Sequence, residues 1–264
     1  MIKVGVVGAL GKMGREVVKA IINTDDTELV MAVDIAGEGT DAGIAACNKV
    51  TGITIETNIE KAIEAKKPDI IIDFTQPNGI FEHVSTYIKN KAKSVIGTTG
   101  LKEEQIIELK KLSKEYNTGC LIAPNFSTGA VLLMMFSKQA AKYFKNAEII
   151  ELHHNQKKDA PSGTAVKTAQ MMAEENPDFT YGNCNETELI KGSRGGVANS
   201  NIHIHSVRMP GYIASQEVIF GASGQIFKMA HHSMDRTCYM DGVLLAVRYT
   251  YDNNEFIYGL DNIM

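Results

Sequence analysis

The chain has 264 residues, 44% hydrophobic and 22% charged, a balance that builds a packed core and excludes disordered, collagen-like and low-complexity classes. Lys and Arg number 27 against 31 Asp and Glu, a formal charge of −4; a general nucleic-acid binder, which needs a basic stripe to displace counterions, is excluded as well. No stretch approaches the ~18 consecutive apolar residues of a membrane span. The opening run of eight residues is too short and glycine-broken for a signal peptide, and Cys47, Cys120, Cys184 and Cys238 form no C-x-x-C pair. These features predict a cytoplasmic protein with free thiols and neither a membrane nor a nucleic-acid partner.

In chain order, short apolar runs at 3–7, 28–34, 69–74, 94–97 and 120–123 read as strands. Their continuous hydrophobicity, as in Ile70-Ile71-Ile72, suits strands buried on both faces. Helical stretches alternate with them. Thr57-Asn58-Ile59-Glu60 has the spacing of a capping box opening a helix that stops before Pro68, and 102–116 carries Ile106, Leu109 and Leu112 at helical spacing. After Asn125 the pattern changes to a helix over 128–143, a strand over 148–153 and a helix from Ser162 to before Pro177. A Gly-, Asn- and Ser-rich loop over 181–201 precedes strands at 202–207, 215–220 and 225–230, and a last helix over 236–246.

Gly8-Ala9-Leu10-Gly11-Lys12-Met13-Gly14 follows the first strand and opens the first helix, the position of a dinucleotide-binding loop. Its spacing is G-x-x-G-x-x-G, with Leu10 where the usual fingerprint has its second glycine. Asp34, about 20 residues past Gly14, stands at the end of the second strand, where a carboxylate accepts from a ribose diol. The competing reading is a plain tight turn with Asp34 capping a loop. Asp34 repels a 2′-phosphate while Lys12 offsets that repulsion, which leaves the choice between NADH and NADPH open. Gly97-Thr98-Thr99-Gly100 ends the fourth strand at the carboxyl edge, where open α/β sheets bind ligands.

Glu151-Leu152-His153-His154-Asn155-Gln156-Lys157-Lys158-Asp159-Ala160-Pro161-Ser162-Gly163-Thr164 gathers titratable groups between a strand end and a helix start. Hydroxyls of Ser162 and Thr164, with the amides of Gly163 and Thr164 at a helix N-terminus, make a carboxylate site. Lys157 and His154 add donors, so the substrate is expected to be a small acid carrying two negative charges. The competing reading has Ser162 only capping its helix and the histidines satisfied at a strand end. His153-His154, His203-x-His205 and His231-His232 lack the carboxylate spacing of a metal site, and no metal is expected.

On the residues from Val4-Gly5-Val6-Val7-Gly8 through Gly97-Thr98-Thr99-Gly100, Ala123-Pro124-Asn125-Phe126-Ser127 and His153-His154 to Asp159-Ala160-Pro161-Ser162-Gly163-Thr164, the chain resembles the dihydrodipicolinate reductase family of diaminopimelate and lysine biosynthesis over nearly its whole length. The resemblance implies an α/β fold: a Rossmann-like doubly wound parallel sheet over 1–126, to which 237–264 returns, and a second α+β domain with a mixed or antiparallel sheet over 127–236 for substrate binding and oligomerisation. It implies that Gly8, Gly11, Lys12, Met13, Asp34, Gly97, Thr99, Ala123 and Phe126 contact NADH or NADPH. His154, Lys157, Ser162, Gly163 and Thr164 would hold a small cyclic dicarboxylate, His153 and Lys157 match the proton-donating pair, and the assembly would be a homotetramer. The segment 208–217 departs from the best-known members, replacing a valine-proline-glycine-glutamate-histidine-threonine pattern. Two further readings are a reductase acting on another small acid, which would not need the segment 153–164, and a nucleotide-sensing regulator, for which no basic recognition helix is present.

Overall fold

The computed structural model describes residues 1–180 and 186–264. The chain runs β1 (Ile2–Val7), α1 (Lys12–Ile22), β2 (Thr27–Val33), α2 (Ala42–Cys47), β3 (Ile55–Glu56), α3 (Ile59–Lys66), β4 (Ile70–Asp73), α4 (Ile80–Lys89), β5 (Lys93–Ile96), α5 (Glu103–Tyr116) and β6 (Cys120–Ile122). It continues through α6 (Thr128–Ala141), β7 (Asn146–His153), α7 (Gly163–Glu175), β8 (Gly196–Val197), β9 (His203–Arg208), β10 (Ala214–Ala222) and β11 (Gln225–Ser233), then α8 (Met240–Asp252) and β12 (Phe256–Tyr258). Two compact units result, Met1–Phe126 with Tyr239–Met264, and Ser127–Cys238.

The first unit holds a parallel seven-stranded sheet in the order β12-β6-β5-β4-β1-β2-β3. The order reverses between β1 and β4, the crevice where such sheets bind ligands. Ile70, Ile71 and Ile72 of β4 have no exposed surface, as a strand covered by helices on both faces requires. The helix expected from Thr57 starts one residue later: Asn58 is the cap, its Oδ1 accepting from the Lys61 amide at 2.9 Å, so the Thr57 box does not form.

The second unit holds a mixed five-stranded sheet in the order β11-β10-β7-β9-β8, with β7 and β9 parallel and the other pairs antiparallel. Side chains alternate across a sheet, so every second residue shares a face. One face carries Phe220, Ala147, Ile149, Ile204 and Val218, buried against Leu133 of α6 and Ala165, Ala169 and Met172 of α7. In the next two rows of the same strands that face turns polar. The register sets Gln216 beside Glu151 and Glu151 beside Ser206, and then Ala214 beside His153 and His153 beside Arg208. The apolar end anchors the helices, and the polar end gathers the titratable side chains.

Of the loop expected over 181–201, residues 181–185 with Cys184 lie outside the described residues; the rest contains β8 and a 3-10 turn, Asn199–Asn201. The last helix begins at Met240, later than expected, because Arg236–Tyr239 forms a 3-10 turn held by Asp235, whose Oδ1 accepts from the Thr237 amide at 2.8 Å. Among the described residues, no helix is long and apolar enough to cross a membrane.

Phe220 is fully buried, with its ring centroid 5.3 Å from that of Phe144. Phe220→Ala is expected to lower the unfolding free energy of the second unit by about 3–5 kcal/mol, the usual loss for a core aromatic. Urea unfolding followed by circular dichroism checks this; a loss under about 1 kcal/mol would show that the site collapses without a cavity.

Candidate active site

In the first unit the chain leaves β1 through Gly8, whose φ is +80°. A Cβ there would stand 2.6 Å from the Phe74 carbonyl oxygen, so only glycine fits both the backbone conformation and the space. The amides of Gly8 and Ala9 donate to the Val33 carbonyl at 2.9 and 3.1 Å, which hangs the turn on β2. Gly11 is the N-cap of α1 and offers no side-chain acceptor. A Cβ on Gly14 would lie 1.9 Å from the Gly8 oxygen, so the helix rests directly on the turn. Lys12 and Met13 therefore begin a helix whose first amides lack a side-chain cap, an arrangement that fits a pyrophosphate.

Asp34 Oδ2 accepts from the Leu10 amide at 2.8 Å, while Oδ1 has a bond of 3.4 Å from the Ala36 amide. The acid thus caps the glycine loop and keeps one weakly engaged oxygen for a hydroxyl. Arg15 adds a second tether, donating through Nε to the Leu10 carbonyl at 2.9 Å.

At the neighbouring strand ends Gly97 donates to the Asp73 carbonyl at 2.9 Å, and a Cβ on it would meet the Phe74 ring at 2.0 Å. Phe74 packs on Phe126 with ring centroids 5.7 Å apart, and Ala123 and Phe126 are both buried. Thr98 is buried, whereas Thr99 and Gly100 are exposed. Asp73 organises this edge with no exposed surface of its own. It accepts from the Thr75 amide and hydroxyl at 2.9 and 2.7 Å, the Thr98 hydroxyl at 2.9 Å and the Tyr87 hydroxyl at 2.7 Å, and lies 3.1 Å from His83 Nδ1. Burial raises its pKa, but the bonds from His83, Thr75 and Tyr87 together outweigh burial and hold the carboxyl below its ordinary value.

In the second unit Glu151, also without exposed surface, sits at the polar end of the sheet. Arg208 donates to it in a fork, Nη1 to Oε2 at 2.9 Å and Nη2 to Oε1 at 2.7 Å. The Ser162 amide reaches Oε1 at 3.2 Å, and His153 Nδ1 lies 2.5 Å from Oε2. Burial again raises the pKa, and the bonds from His153, Arg208 and Ser206 bring it down to about 2. Ser162 is buried and is the N-cap of α7, its hydroxyl accepting from the Ala165 amide at 3.2 Å. Gly163 and Thr164 open that helix, and the space around Gly163 is clear. Lys157 Nζ lies 2.9 Å from Asp159, and His154 Nδ1 accepts from the Gln156 amide at 3.2 Å.

His153, Ser162 and, through Arg208 and Asp159, Lys157 are thus tied together. His203 and His205 lie on β9, with His205 Nε2 2.8 Å from Glu148. Among the described residues no three His, Cys, Asp or Glu side chains gather as a metal site. The sequence reading assigned no role to Glu151, Arg208, Asp73 or Arg15. Glu151 was within reach of it, since residues two apart on a strand share a face, which pairs Glu151 with His153. Asp73 carried a signal too, as the one acid closing an otherwise apolar strand.

Both buried acids have folded pKa values below their unfolded ones, so their stabilising contribution is full above the ordinary carboxylate range and disappears as pH falls through it, for Glu151 from 4.5 toward about 2. The urea midpoint is expected to fall steeply below ~pH 4.5 and to be nearly flat from there to neutrality. A midpoint unchanged on acidification would contradict the burial of ionised Asp73 and Glu151.

Comparison with known proteins agrees with this geometry. The models for dihydrodipicolinate reductase, N-terminus, and dihydrodipicolinate reductase, C-terminus, match residues 2–126 and 129–264. The 4-hydroxy-tetrahydrodipicolinate reductase of Picosynechococcus sp. is 51% identical over 263 residues, covering 97% of this chain and 96% of its own. That of Thermosynechococcus vestitus is 48% identical over 267 residues, covering 100% and 97%. The dipicolinate-bound dihydrodipicolinate reductase from Paenisporosarcina sp. TG-14 matches with a TM-score of 0.89 at 42% identity, over 100% of both chains. The amine dehydrogenase from Mycobacterium smegmatis matches with a TM-score of 0.70 at 12% identity, a likeness of fold alone. With a glycine turn seated under an uncapped helix in one unit, a histidine-rich polar sheet end in the other, and both family models matched, the chain belongs to the dihydrodipicolinate reductase family.

Proposed function

We propose that the chain catalyses the NAD(P)H-dependent reduction of 4-hydroxy-tetrahydrodipicolinate, or the dihydrodipicolinate formed from it by loss of water, to tetrahydrodipicolinate in lysine and diaminopimelate biosynthesis. The observation that carries the reading is the convergence of His153, Lys157 and Ser162 on one polar sheet end, in a chain about half identical to reductases of that name. The unit Met1–Phe126 with Tyr239–Met264 is the dinucleotide-binding part, and Ser127–Cys238 binds substrate and joins the subunits.

The reduced nicotinamide supplies a hydride when bound. The amides of Lys12 and Met13 would take the pyrophosphate, with Gly8 and Gly11 shaping the turn beneath it through the Gly11 amide bond to the Gly8 carbonyl; Asp34 would take a ribose hydroxyl on Oδ1, and Gly97, Thr99, Ala123 and Phe126 would border the nicotinamide end. The substrate is a ring with two carboxylates. The N-terminal amides of α7 at Gly163 and Thr164, with the Ser162 hydroxyl, hold one carboxylate, and His154 and Lys157 supply donors for the other. After hydride reaches the unsaturated ring, the enamine-like anion takes a proton from the His153 and Lys157 pair. His153 gives its proton from Nε2 as the imidazolium, and the neutral ring left behind keeps its remaining proton on Nδ1, facing Glu151. Cytoplasmic residence fits the chain's thiols: Cys47, Cys120 and Cys238 are unpaired, and burial pushes the Cys120 thiol up to about 12, which leaves it inert.

A homotetramer is part of the proposal. The face of the second sheet opposite α6 and α7 presents Ile150, Leu152 and Ile219, each partly exposed, and Ile226, 78% exposed on edge strand β11. Exposed apolar side chains on a sheet face and its edge strand favour a second copy. Sedimentation equilibrium is expected to give four chains, and Ile226→Asp to shift the mass downward; a monomeric wild type would remove this part.

The reaction is tested by following loss of NADH or NADPH absorbance with freshly made product of pyruvate and aspartate semialdehyde condensation. Turnover with at least one cofactor is expected; none with either would refute the reading. Lys157→Ala should lower kcat by about 100-fold or more, the scale of a lost general acid. His153→Ala should lower it less and leave cofactor affinity intact. Near-normal turnover of Lys157→Ala would overturn its role.

A further inference from the structure

Glu151 takes no part in the proton transfer above, yet it is the most heavily bonded side chain of the second unit's polar end. Its donors are both terminal nitrogens of Arg208, the Ser162 amide, the Ser206 side chain and the His153 ring. A carboxylate has about four lone-pair sites and no hydrogen to give. Each neighbour must therefore present a proton. For His153 that neighbour atom is Nδ1, so the ring in its neutral form is the Nδ1–H tautomer and Nε2 is the nitrogen left for exchange.

Arg208 extends the arrangement. Nη2, besides its bond to Glu151, donates to the Asp159 carbonyl at 2.8 Å, and Nη1 donates to the Val207 carbonyl at 2.8 Å. The Asp159 side chain in turn holds Lys157 Nζ at 2.9 Å. A single fork thus connects the end of β9, the buried acid on β7 and the turn that carries Lys157, while the same acid fixes the first residue of α7. Arg208 opens the segment 208–217 in which this chain departs from the best-known members.

We propose that Glu151 and Arg208 are positioning residues: their buried ion pair locks His153 in the Nδ1–H tautomer and keeps the Lys157 turn and the α7 N-terminus in register with it. The kinetic consequence rests on the reading of His153 as a proton donor; the tautomer does not. An ion pair serving only to stabilise the fold would leave both the tautomer and the turnover of the folded enzyme unchanged when altered conservatively.

The test uses full-length enzyme with 15N-labelled histidine. Long-range proton–nitrogen spectra give the tautomer of each ring, and the His153 signals are identified by their loss in His153→Ala. Wild type is expected to show His153 protonated on Nδ1. In Glu151→Gln the new amide can donate to Nδ1, so the ring is expected to switch to Nε2–H; the imidazolium that donates from Nε2 then has no carboxylate facing Nδ1, and kcat is expected to fall by about 100-fold. The Kd for cofactor should stay within about twofold, since no dinucleotide contact is altered. Arg208→Lys keeps the charge but loses the fork and is expected to lower kcat by about tenfold with the tautomer retained. If Glu151→Gln does not fold, the wild-type tautomer and Arg208→Lys decide. An Nε2–H ring in wild type, or wild-type kcat in both variants, would overturn the proposal. Full turnover in His153→Ala would instead sink the proton-donor reading alone, with the spectra still deciding whether Glu151 holds the ring.

Discussion

An ionised carboxylate shut away from water is tolerable only if nearly every lone pair is met by a donor. Asp73 and Glu151 both satisfy that condition, one in each unit, and both stand at or near the carboxyl end of a strand. The requirement acts on the surroundings as much as on the acid. Thr75, Thr98, Tyr87 and His83 are drawn onto Asp73, which sets the loops after β4 and β5. Arg208, His153 and the start of α7 are drawn onto Glu151. Loops that would otherwise sample many conformations are organised by a charge that cannot be left unpaired.

Packing separates stability from chemistry along the same strands. On the inner face of the second sheet, Val218, Phe220, Ile149 and Ile204 anchor α6 and α7 through buried apolar surface, and the polar rows begin where that anchoring is complete. A rigid apolar platform lets a handful of polar side chains be held at fixed separations, the condition for positioned acids and bases. In the first unit close backbone approach does the equivalent work. Gly8, Gly14 and Gly97 stand where a Cβ would meet a carbonyl oxygen or an aromatic ring at 2.6 Å or less, so the turn, the helix and the strand end touch directly.

Family and fold carry different weights. Relatives near half identity span almost the whole chain, while the amine dehydrogenase shares its architecture at 12% identity. A doubly wound sheet followed by a mixed sheet hosts many reductions, and the chemistry resides in the side chains placed on it. In the proposed reaction those are the residues from His153 to Thr164 together with the acid and arginine bonded to them.

The parallel sheet, the glycine turn and the titratable segment from His153 to Thr164 were legible in the residue order, because buried parallel strands are continuous apolar runs and a tight strand-to-helix turn at positive φ needs glycine. Strand ends read from those runs lie within a residue or two of the observed ones. Strands β3, β8 and β12, two or three residues each, and the six-residue α2 left no trace, being too short for an apolar pattern to repeat. The choice of Asn58 over Thr57 as a cap, the tie between Asp34 and the Leu10 amide and the convergence of Arg208 on Glu151 were decided only in the tertiary structure. Glu151 and Arg208 are 57 positions apart along the chain, and what brings them together is the parallel register of β7 and β9. That register is set by burying Ile149 and Ile204 on one face, a long-range choice that no local pattern encodes.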